Sequence, residues 1–484
     1  MTATQTAPHG RPYDTKARRQ LAVEARRAQR SRQPRGVPRP DGPLGLEFLL
    51  RQAAGRGSAS DFFAALPAKY PRLAYWRMAG MHVYALNCAE LIDGVHREHA
   101  RVLTKSRALQ EAKILLGNGL LTDEGESHLR HRRMVQPAFH RDRIREYSER
   151  MVAATVEHEQ GWQVGQQVDM VADMSGLTLD IVGRTLFGAD LRHDAADVGD
   201  ALNALLESFP RLMLPGGQFL TRIPGTPMHR IIGDLDDLDG MVQRMITEHR
   251  ASGDTGDLLS MLISAQEDGT GMSDDQLRDE VMTLVLAGHE TTAMNLTWTW
   301  YLLSVNPAEA RTLREELATV LAGRAPTVSD LAALPFTRAV ISESMRLFPP
   351  AWVIGRQTTA DIEIDGWPVP AGSVIMTSQY AMHRDPRYWD SALAFRPSRW
   401  LDDNGNYSEK APGQPRGAWF PFGYGKRQCI GDQFALTEAA LVVATLAQTW
   451  APRLVPGSPV EPFAAVTLRP RDGMQMTLER VSDG

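Results

Sequence analysis

Two short runs open the pattern: Leu73-Ala-Tyr-Trp-Arg-Met78 and Met81-His-Val-Tyr-Ala-Leu86, rich in aromatic and β-favouring residues and separated by Ala79-Gly80. Such a pair predicts a hairpin. From Ala89 to Val320 the hydrophobic period lengthens to three and four. The chain there reads as amphipathic helices broken at Gly117-Asn118-Gly119, at Pro215-Gly216-Gly217 and at Pro224-Gly-Thr-Pro227. One helix is long. Ser273 with Gln276 three residues later makes a capping box, so the helix is expected to start near Asp274 and run to about Ser304. Asn306-Pro307 then supplies the cap and first-turn proline of the next helix. Val281, Leu284, Gly288, Thr292, Leu296 and Leu303 fall on one stripe. At 1.5 Å per residue the helix extends roughly 45 Å, enough to cross the whole protein. Between Ile354 and Met376 short strands return, with Asp365-Gly366 as a turn and Pro368 and Pro370 limiting the runs. Pro386 to Phe420 is long and irregular, and such a stretch inside a compact chain usually carries function.

Composition narrows the class. The chain has 484 residues, 43% of them hydrophobic and 23% charged, and a formal net charge of -5. These values argue neither for disorder nor for a nucleic-acid binder, and no nucleic-acid partner is expected. Charge is unevenly placed, because Met1 to Pro40 carry ten Lys or Arg against two acids, Asp14 and Glu24. Residues 1–37 therefore read as a poorly ordered basic arm, and the Pro- and Gly-rich run to Leu44 as an extended lead-in. A solvated tail and a contact with a membrane surface or partner both remain open for the arm. No run approaches the ~18 apolar residues of a membrane span, and the N-terminus lacks the apolar core of a signal peptide. A cytoplasmic protein without a transmembrane anchor is expected. Two cysteines, Cys88 and Cys429, are too few for a disulfide framework.

The sharpest chemical signal is Phe422-Gly-Tyr-Gly-Lys-Arg-Gln-Cys-Ile-Gly431, followed at once by Asp432 to Ala440, a stretch of good helix formers. Cys429 thus stands at a helix start, where unpaired N–H groups and the helix dipole are expected to lower the thiol pKa and favour the metal-binding thiolate. Gly423, Gly425 and Gly431 let the backbone turn tightly and approach a flat ligand. One thiolate without a second cysteine nearby builds neither structural zinc nor an iron–sulfur cluster, whereas haem needs only one. A buried structural cysteine is the alternative.

Within the long helix, Ala287-Gly-His-Glu-Thr-Thr292 sets two small residues, Ala287 and Gly288, beside an acid and two hydroxyls. Small residues leave room for a ligand, and an acid next to a hydroxyl can relay protons. Taken alone, the segment also reads as a kinked helix in which Thr291 bonds back to a carbonyl and Glu290 is an exposed charge. Gly288 and Thr292 share a face, with Thr291 beside them and His289 pointing elsewhere. Glu343 and Arg346 have the i, i+3 spacing of an ion pair. His128 and Arg132 lie on one helix face and can address one anion.

Phe422 to Gly431 resembles the haem-binding signature of the cytochrome P450 family, Phe-x-x-Gly-x-x-x-Cys-x-Gly, at every defining position. Ala287 to Thr292 resembles the family's Ala/Gly-Gly-x-Asp/Glu-Thr-Thr motif. Glu343-Ser-Met-Arg346, with Leu347-Phe-Pro-Pro350 and the later Phe395-Arg-Pro-Ser-Arg-Trp400, resembles the family's Glu-x-x-Arg helix and the segment supplying a second arginine. Ser398 stands where many members have Glu. His128-Leu-Arg-His-Arg132 resembles the segment that holds a haem propionate, with His128 where many members have Trp. The likeness runs from about Pro38 to the C-terminus.

The resemblance implies a mainly α fold with small β-sheets, triangular, with the long central helix over haem b, and a single catalytic unit at residues 38–484. It implies Cys429 as the iron ligand, with Ala287, Gly288, Phe422, Gly423 and Gly431 around the cofactor. His128, Arg132, Arg356 and Arg427 would face the propionates, Glu290 and Thr291 would be the acid and alcohol of dioxygen activation, and Glu343, Arg346 and Arg399 would form a structural triad. The implied activity is that of a haem-thiolate monooxygenase acting as a monomer. Its electrons would come from NAD(P)H through separate partners, a ferredoxin with its reductase or a flavodoxin.

By family position the substrate pocket is expected at Thr104 to Leu120, Phe209 to Thr226, Leu284 to Thr292, Pro350 to Gly355 and Ala464 to Thr467. Leu212, Met213, Phe219, Leu286, Trp352, Val353, Ile354 and Val466 make these segments apolar, which suits a lipophilic terpenoid, polyketide or fatty acid. The competing readings are a haem-thiolate enzyme that rearranges peroxides or couples aromatic rings without inserting oxygen, a non-catalytic haem sensor, and a cysteine-nucleophile hydrolase. Glu290 with Thr291 argues against peroxide rearrangement, and the hydrolase would need a paired histidine that the spacing does not show.

Overall fold

Leu73–Met78 (β1) and Met81–Leu86 (β2) pair antiparallel, Leu73 opposite Leu86 and Met78 opposite Met81, and Gly80 takes the left-handed φ of +82° at the turn. Three further strands join them: Leu103–Lys105 (β3), Ile354–Thr358 (β4) and Val374–Thr377 (β5). The sheet order is β1-β2-β5-β4-β3, with β2 and β5 parallel and the other pairs antiparallel. Asp365 and Gly366 both have positive φ, +55° and +78°, the paired left-handed residues of a tight hairpin joining Ile362–Ile364 to Trp367–Val369. The computed structural model describes residues 38–44, 58–78, 80–192, 198–199, 227–253, 255–267 and 272–481. The basic arm, the break at Pro215–Gly217, and Leu212, Met213 and Phe219 lie outside the described residues, as does the whole of the expected pocket segment Phe209 to Thr226.

Six helices place the site: Gly125–Val135 (α1), Arg141–Glu159 (α2), Met170–Leu186 (α3), Asp274–Val305 (α4), Pro335–Leu347 (α5) and Asp432–Leu446 (α6). At the start of α4 the Ser273 hydroxyl accepts from the Gln276 N–H, and the Gln276 side chain accepts from the Ser273 N–H. The helix then runs 32 residues, about 48 Å. It is buried on nearly every side. Val281 and Leu284 are covered, but so are Met294, Thr297, Trp298 and Trp300, because α3, α5 and α6 all pack along it. The single stripe expected from the period therefore understates the burial of a helix enclosed by others. Pro307 does open the next helix, Pro307–Leu321, but Asn306 does not cap it; its amide donates back to the Leu302 carbonyl at 2.8 Å.

Two strands inside the helical stretch escape any reading of periodicity: β3, and Gln167–Asp169, which pairs with Gln475–Thr477. Three residues are too few for alternation to register. Among the described residues, no helix is long and apolar enough to cross a membrane.

Candidate functional site

The segment before α6 folds into a loop closed by one bond, from the Cys429 N–H to the Phe422 carbonyl at 2.9 Å. Gly423 and Gly425 carry φ of +79° and +68°, values that a side chain would strain. Gly431 does not; a Cβ there would lie 3.4 Å from the Phe139 ring, in ordinary contact. Phe422 is half-buried against the main core. Cys429 is exposed yet lies deep among protein atoms, so that burial pushes its thiol up to about 11, with the Gly431 N–H pulling the other way. This corrects the expectation of a lowered thiol. A helix start contributes only about 0.3–1 kcal/mol, less than the desolvation it opposes here, and a cation against the sulfur would favour the thiolate.

On α4, Ala287 is exposed and Gly288 and Thr291 are half-buried, whereas Leu286, His289, Glu290 and Thr292 are buried. One turn of an otherwise enclosed helix thus carries an accessible patch. The Thr291 hydroxyl donates to the Ala287 carbonyl at 2.8 Å. Glu290 is 4% exposed, and its Oε1 accepts from the Thr467 hydroxyl at 2.9 Å. Of the helix-only alternative, the back-bond is present and the exposed charge is not. His289 is turned into the protein, its Nδ1 donating to the Val285 carbonyl at 2.8 Å, and burial lowers its pKa. Gly288 differs from expectation. A Cβ there would meet Val182 Cγ2 at 3.2 Å, so its small size lets α3 approach α4 rather than leaving room for a ligand.

Five basic side chains belong to one electrostatic cluster: Lys105 on β3, His128 and Arg132 on α1, Arg356 on β4, and Arg427 in the cysteine loop. Lys105 Nζ donates to the Leu120 and Asp123 carbonyls, both at 2.7 Å, and burial pushes its pKa down to about 7 against the pull of Glu124. Arg356 is buried within its strand and pushed down to about 10 by desolvation, again opposed by Glu124. Arg427 Nη2 donates to Glu124, while its Nη1 is buried without a partner among the described residues. His128 is pushed down to about 3 by burial and then by Lys105, Arg427 and Arg132, and its buried Nδ1 likewise has no partner. Arg132 Nη1 donates to the Gln428 carbonyl at 2.9 Å.

Three cations, Lys105, Arg356 and Arg427, therefore face two carboxylates, Glu124, which bonds Arg427, and the neighbouring Asp123, which also stands 3.2 Å from the His131 ring. Buried positive charge with unused N–H groups is costly unless an anion joins it. Together with an accessible cysteine, this donor set fits a metal group that carries its own carboxylates, as haem does with its iron and propionates. Lys105 and Glu124 were missed in the sequence, since a lone lysine and a lone glutamate carry no spacing signal.

Glu343 is fully buried on α5 and accepts from five donors. Arg346 bonds both its oxygens at 2.8 Å, the Arg399 Nε donates to Oε1 at 2.9 Å, the Trp400 indole to Oε2 at 3.0 Å and the Arg396 N–H to Oε1 at 2.9 Å. The remaining Arg346 N–H groups reach the carbonyls of His383, Ala392 and Ala394. Ser398 in place of glutamate leaves the Arg399 bond intact. This network pins the irregular Pro386 to Phe420 stretch onto α5, and the Phe420 N–H donates to His383 Nε2 just before the cysteine loop begins.

Of the expected apolar pocket residues, Val466 is 48% exposed at the tip of the hairpin formed by Pro462–Ala464 and Leu468–Pro470, and Val353 and Ile354 are half-buried. Leu286 and Trp352 are core residues instead. Leu286 lies in the main cluster, and Trp352 packs edge-on against Phe63 while its indole donates to the Ala465 carbonyl at 2.9 Å. Trp352 therefore braces the hairpin. Of the expected segment Thr104 to Leu120, the loop from Gly117 onward is pinned to α4, the Asn118 N–H to Asp279 at 2.7 Å and the Leu120 N–H to Glu280 at 2.8 Å.

The sequence matches the cytochrome P450 family over residues 38–477. It is 40% identical to cyclooctatin synthase of Streptomyces melanosporofaciens over 414 residues, covering 84% of this chain and 88% of that protein. It is 38% identical to cyclooctat-9-en-7-ol 5-monooxygenase of the same organism over 405 residues, covering 82% and 86%. It is 36% identical to pentalenene oxygenase of Streptomyces avermitilis over 380 residues, covering 76% and 83%. The exposed cysteine at a glycine-rich turn, the accessible patch on a buried helix and the surplus of buried cations agree with that match, and the chain belongs to the cytochrome P450 family of monooxygenases.

Proposed function

We propose that the enzyme inserts one oxygen atom of dioxygen into a lipophilic terpenoid, using haem b and electrons delivered from NAD(P)H by a separate protein. The observation that carries this reading is the pairing of an accessible Cys429 with the under-neutralised cluster of Lys105, Arg356 and Arg427. Cys429 would hold the iron, and Lys105, His128, Arg132, Arg356 and Arg427 would hold the propionates. The haem, when bound, supplies the activation of dioxygen. Thr291 holds a hydroxyl proton at Oγ1 beside the accessible Ala287, and Glu290 is the neighbouring acid from which that proton is replaced. Enclosure of α4 by other helices buries Glu290 and Thr292 while Ala287 stays accessible.

The choice of a terpenoid over a polyketide or fatty acid rests on the relatives named for cyclooctat-9-en-7-ol and pentalenene, and on the apolar surface of Val353, Ile354 and Val466. An acidic donor such as a ferredoxin suits the exposed Arg130, Arg133, Arg141 and Lys426, which lie on α1, at the start of α2 and in the cysteine loop. Two cysteines without a disulfide agree with a cytoplasmic setting.

The test is turnover of cyclic terpenes with isotopically labelled dioxygen, NADPH, a ferredoxin and its reductase. One labelled oxygen atom is expected in the product, and its absence from every product would overturn the reading. The reduced carbon monoxide complex should show the red-shifted Soret band of thiolate ligation and lose it in Cys429→Ala. Thr291→Ala should keep its haem but divert electrons from product to hydrogen peroxide.

A further inference from the structure

We infer that Thr467 is a positioning residue for the oxygenation: its hydroxyl ties the Glu290 carboxylate to the hairpin that presents Val466, so that contact of a substrate with the hairpin tip sets the placement of the acid. The inference rests on the role proposed above for Glu290.

Glu290 and Thr467 are 177 residues apart, both buried, and joined by a 2.9 Å bond to Oε1. The hairpin does not need this bond to stay in place. The Leu468 N–H donates to the Pro350 carbonyl at 2.9 Å, and the Trp298 and Trp352 indoles donate to the Leu468 and Ala465 carbonyls, also at 2.9 Å. Those three anchors hold hairpin backbone and involve no residue of the Ala287 to Thr292 turn. Among the described residues, the fourth alone runs from a hairpin side chain to that turn. Val466 stands between the anchored Ala465 and Thr467 and is the accessible one of the three. A body pressing on Val466 must therefore move the backbone that carries the Thr467 hydroxyl, and with it the donor on which Glu290 depends. A buried carboxylate that loses its donor swings towards another partner, and that movement alters its placement beside Thr291.

The experiment compares the haem-loaded parent with Thr467→Val, which keeps the shape and removes the hydroxyl, with Thr467→Ser, which restores it, with Glu290→Gln, and with the Thr467→Val, Glu290→Gln double variant. Thr467→Val is expected to lower the share of NADPH electrons recovered as product by fivefold or more, to bind the same terpene within threefold of the parent, and to be rescued to within twofold by Thr467→Ser. The double variant should be no worse than Glu290→Gln alone. In infrared spectra the Glu290 carboxyl band, identified by its absence in Glu290→Gln, should shift on adding the terpene in the parent and stay fixed in Thr467→Val. Full coupling in Glu290→Gln would remove the role of Glu290 itself. Uncoupling in Glu290→Gln with full coupling in Thr467→Val would overturn the inference alone. So would failure of serine to rescue, additive losses in the double variant, or an infrared band that ignores the terpene in the parent.

Discussion

Glu280, two turns before the accessible patch of α4, is fully buried, and burial pushes its pKa to about 8 against the N–H of Leu120 that it accepts at 2.8 Å. Asp123 and Asp279 raise it further, and Lys105 lowers it. In the unfolded chain the same group titrates near 4.5. The native state therefore holds this proton more tightly than the unfolded state. Its contribution to stability is complete below pH 4.5 and is lost as pH rises towards 8, at up to about 1.4 kcal/mol per pH unit. Glu280→Gln keeps the acceptor for Leu120 and removes the titration. Thermal unfolding should show a flatter pH profile for the variant between pH 5 and 8 and a higher melting temperature than the parent at pH 8.5; parallel profiles would refute this. Residues of this kind show how far a sequence can be read. The glycines and cysteine of Phe422 to Gly431 and the spacing of Glu343 and Arg346 lie within single local motifs, and local geometry follows from them. Lys105, Glu280 and Thr467 act through partners 15, 160 and 177 residues away, and only the folded chain brings those partners together.

At the scale of elements, the loop Gly117–Asp123 and α4 are fitted at backbone distance. A Cβ on Gly119 would lie 2.1 Å from Thr283 Oγ1 and 2.5 Å from the Asp279 carbonyl. Gly119→Ala must push the loop off the helix, at a cost on the order of 1–3 kcal/mol. Hydrogen exchange at the amides of Asn118 and Leu120, which donate to Asp279 and Glu280, should accelerate with it. Gly176, in the middle of α3, meets nothing within 4 Å, so Gly176→Ala should raise stability by about 0.5–1 kcal/mol. Equal effects of the two alanines in a melting experiment would contradict the fit. The Gly-Asn-Gly run was readable as a break in the helical pattern, but not as a docking surface. Likewise the ends of α4 were readable from its caps, whereas its burial on all sides was not, because a central helix is defined by its neighbours more than by its own period.

For the molecule as a whole, Glu343 is the hub that joins α5 to the irregular stretch leading into the cysteine loop. Glu343→Gln leaves two buried arginines facing one neutral amide, a loss of about 3–5 kcal/mol set against a typical total of 5–15 kcal/mol. Little haem-loaded protein should be recovered. Arg338→Met, which breaks the surface pair with Glu409 at 3.1 Å, should cost under about 1 kcal/mol and leave yield unchanged. Haem content and melting temperature of the two variants decide the point. The sheet carries a different consequence at the same scale. β2 lies parallel to β5 with Val83 opposite Val374, so its mate is translated about 290 residues after it. At roughly 5–20 residues per second, a ribosome needs about 15–60 seconds to make that mate. Throughout that interval the Val83 to Leu86 backbone has an open ladder on one side, and a neighbouring nascent chain offers the same ladder in return.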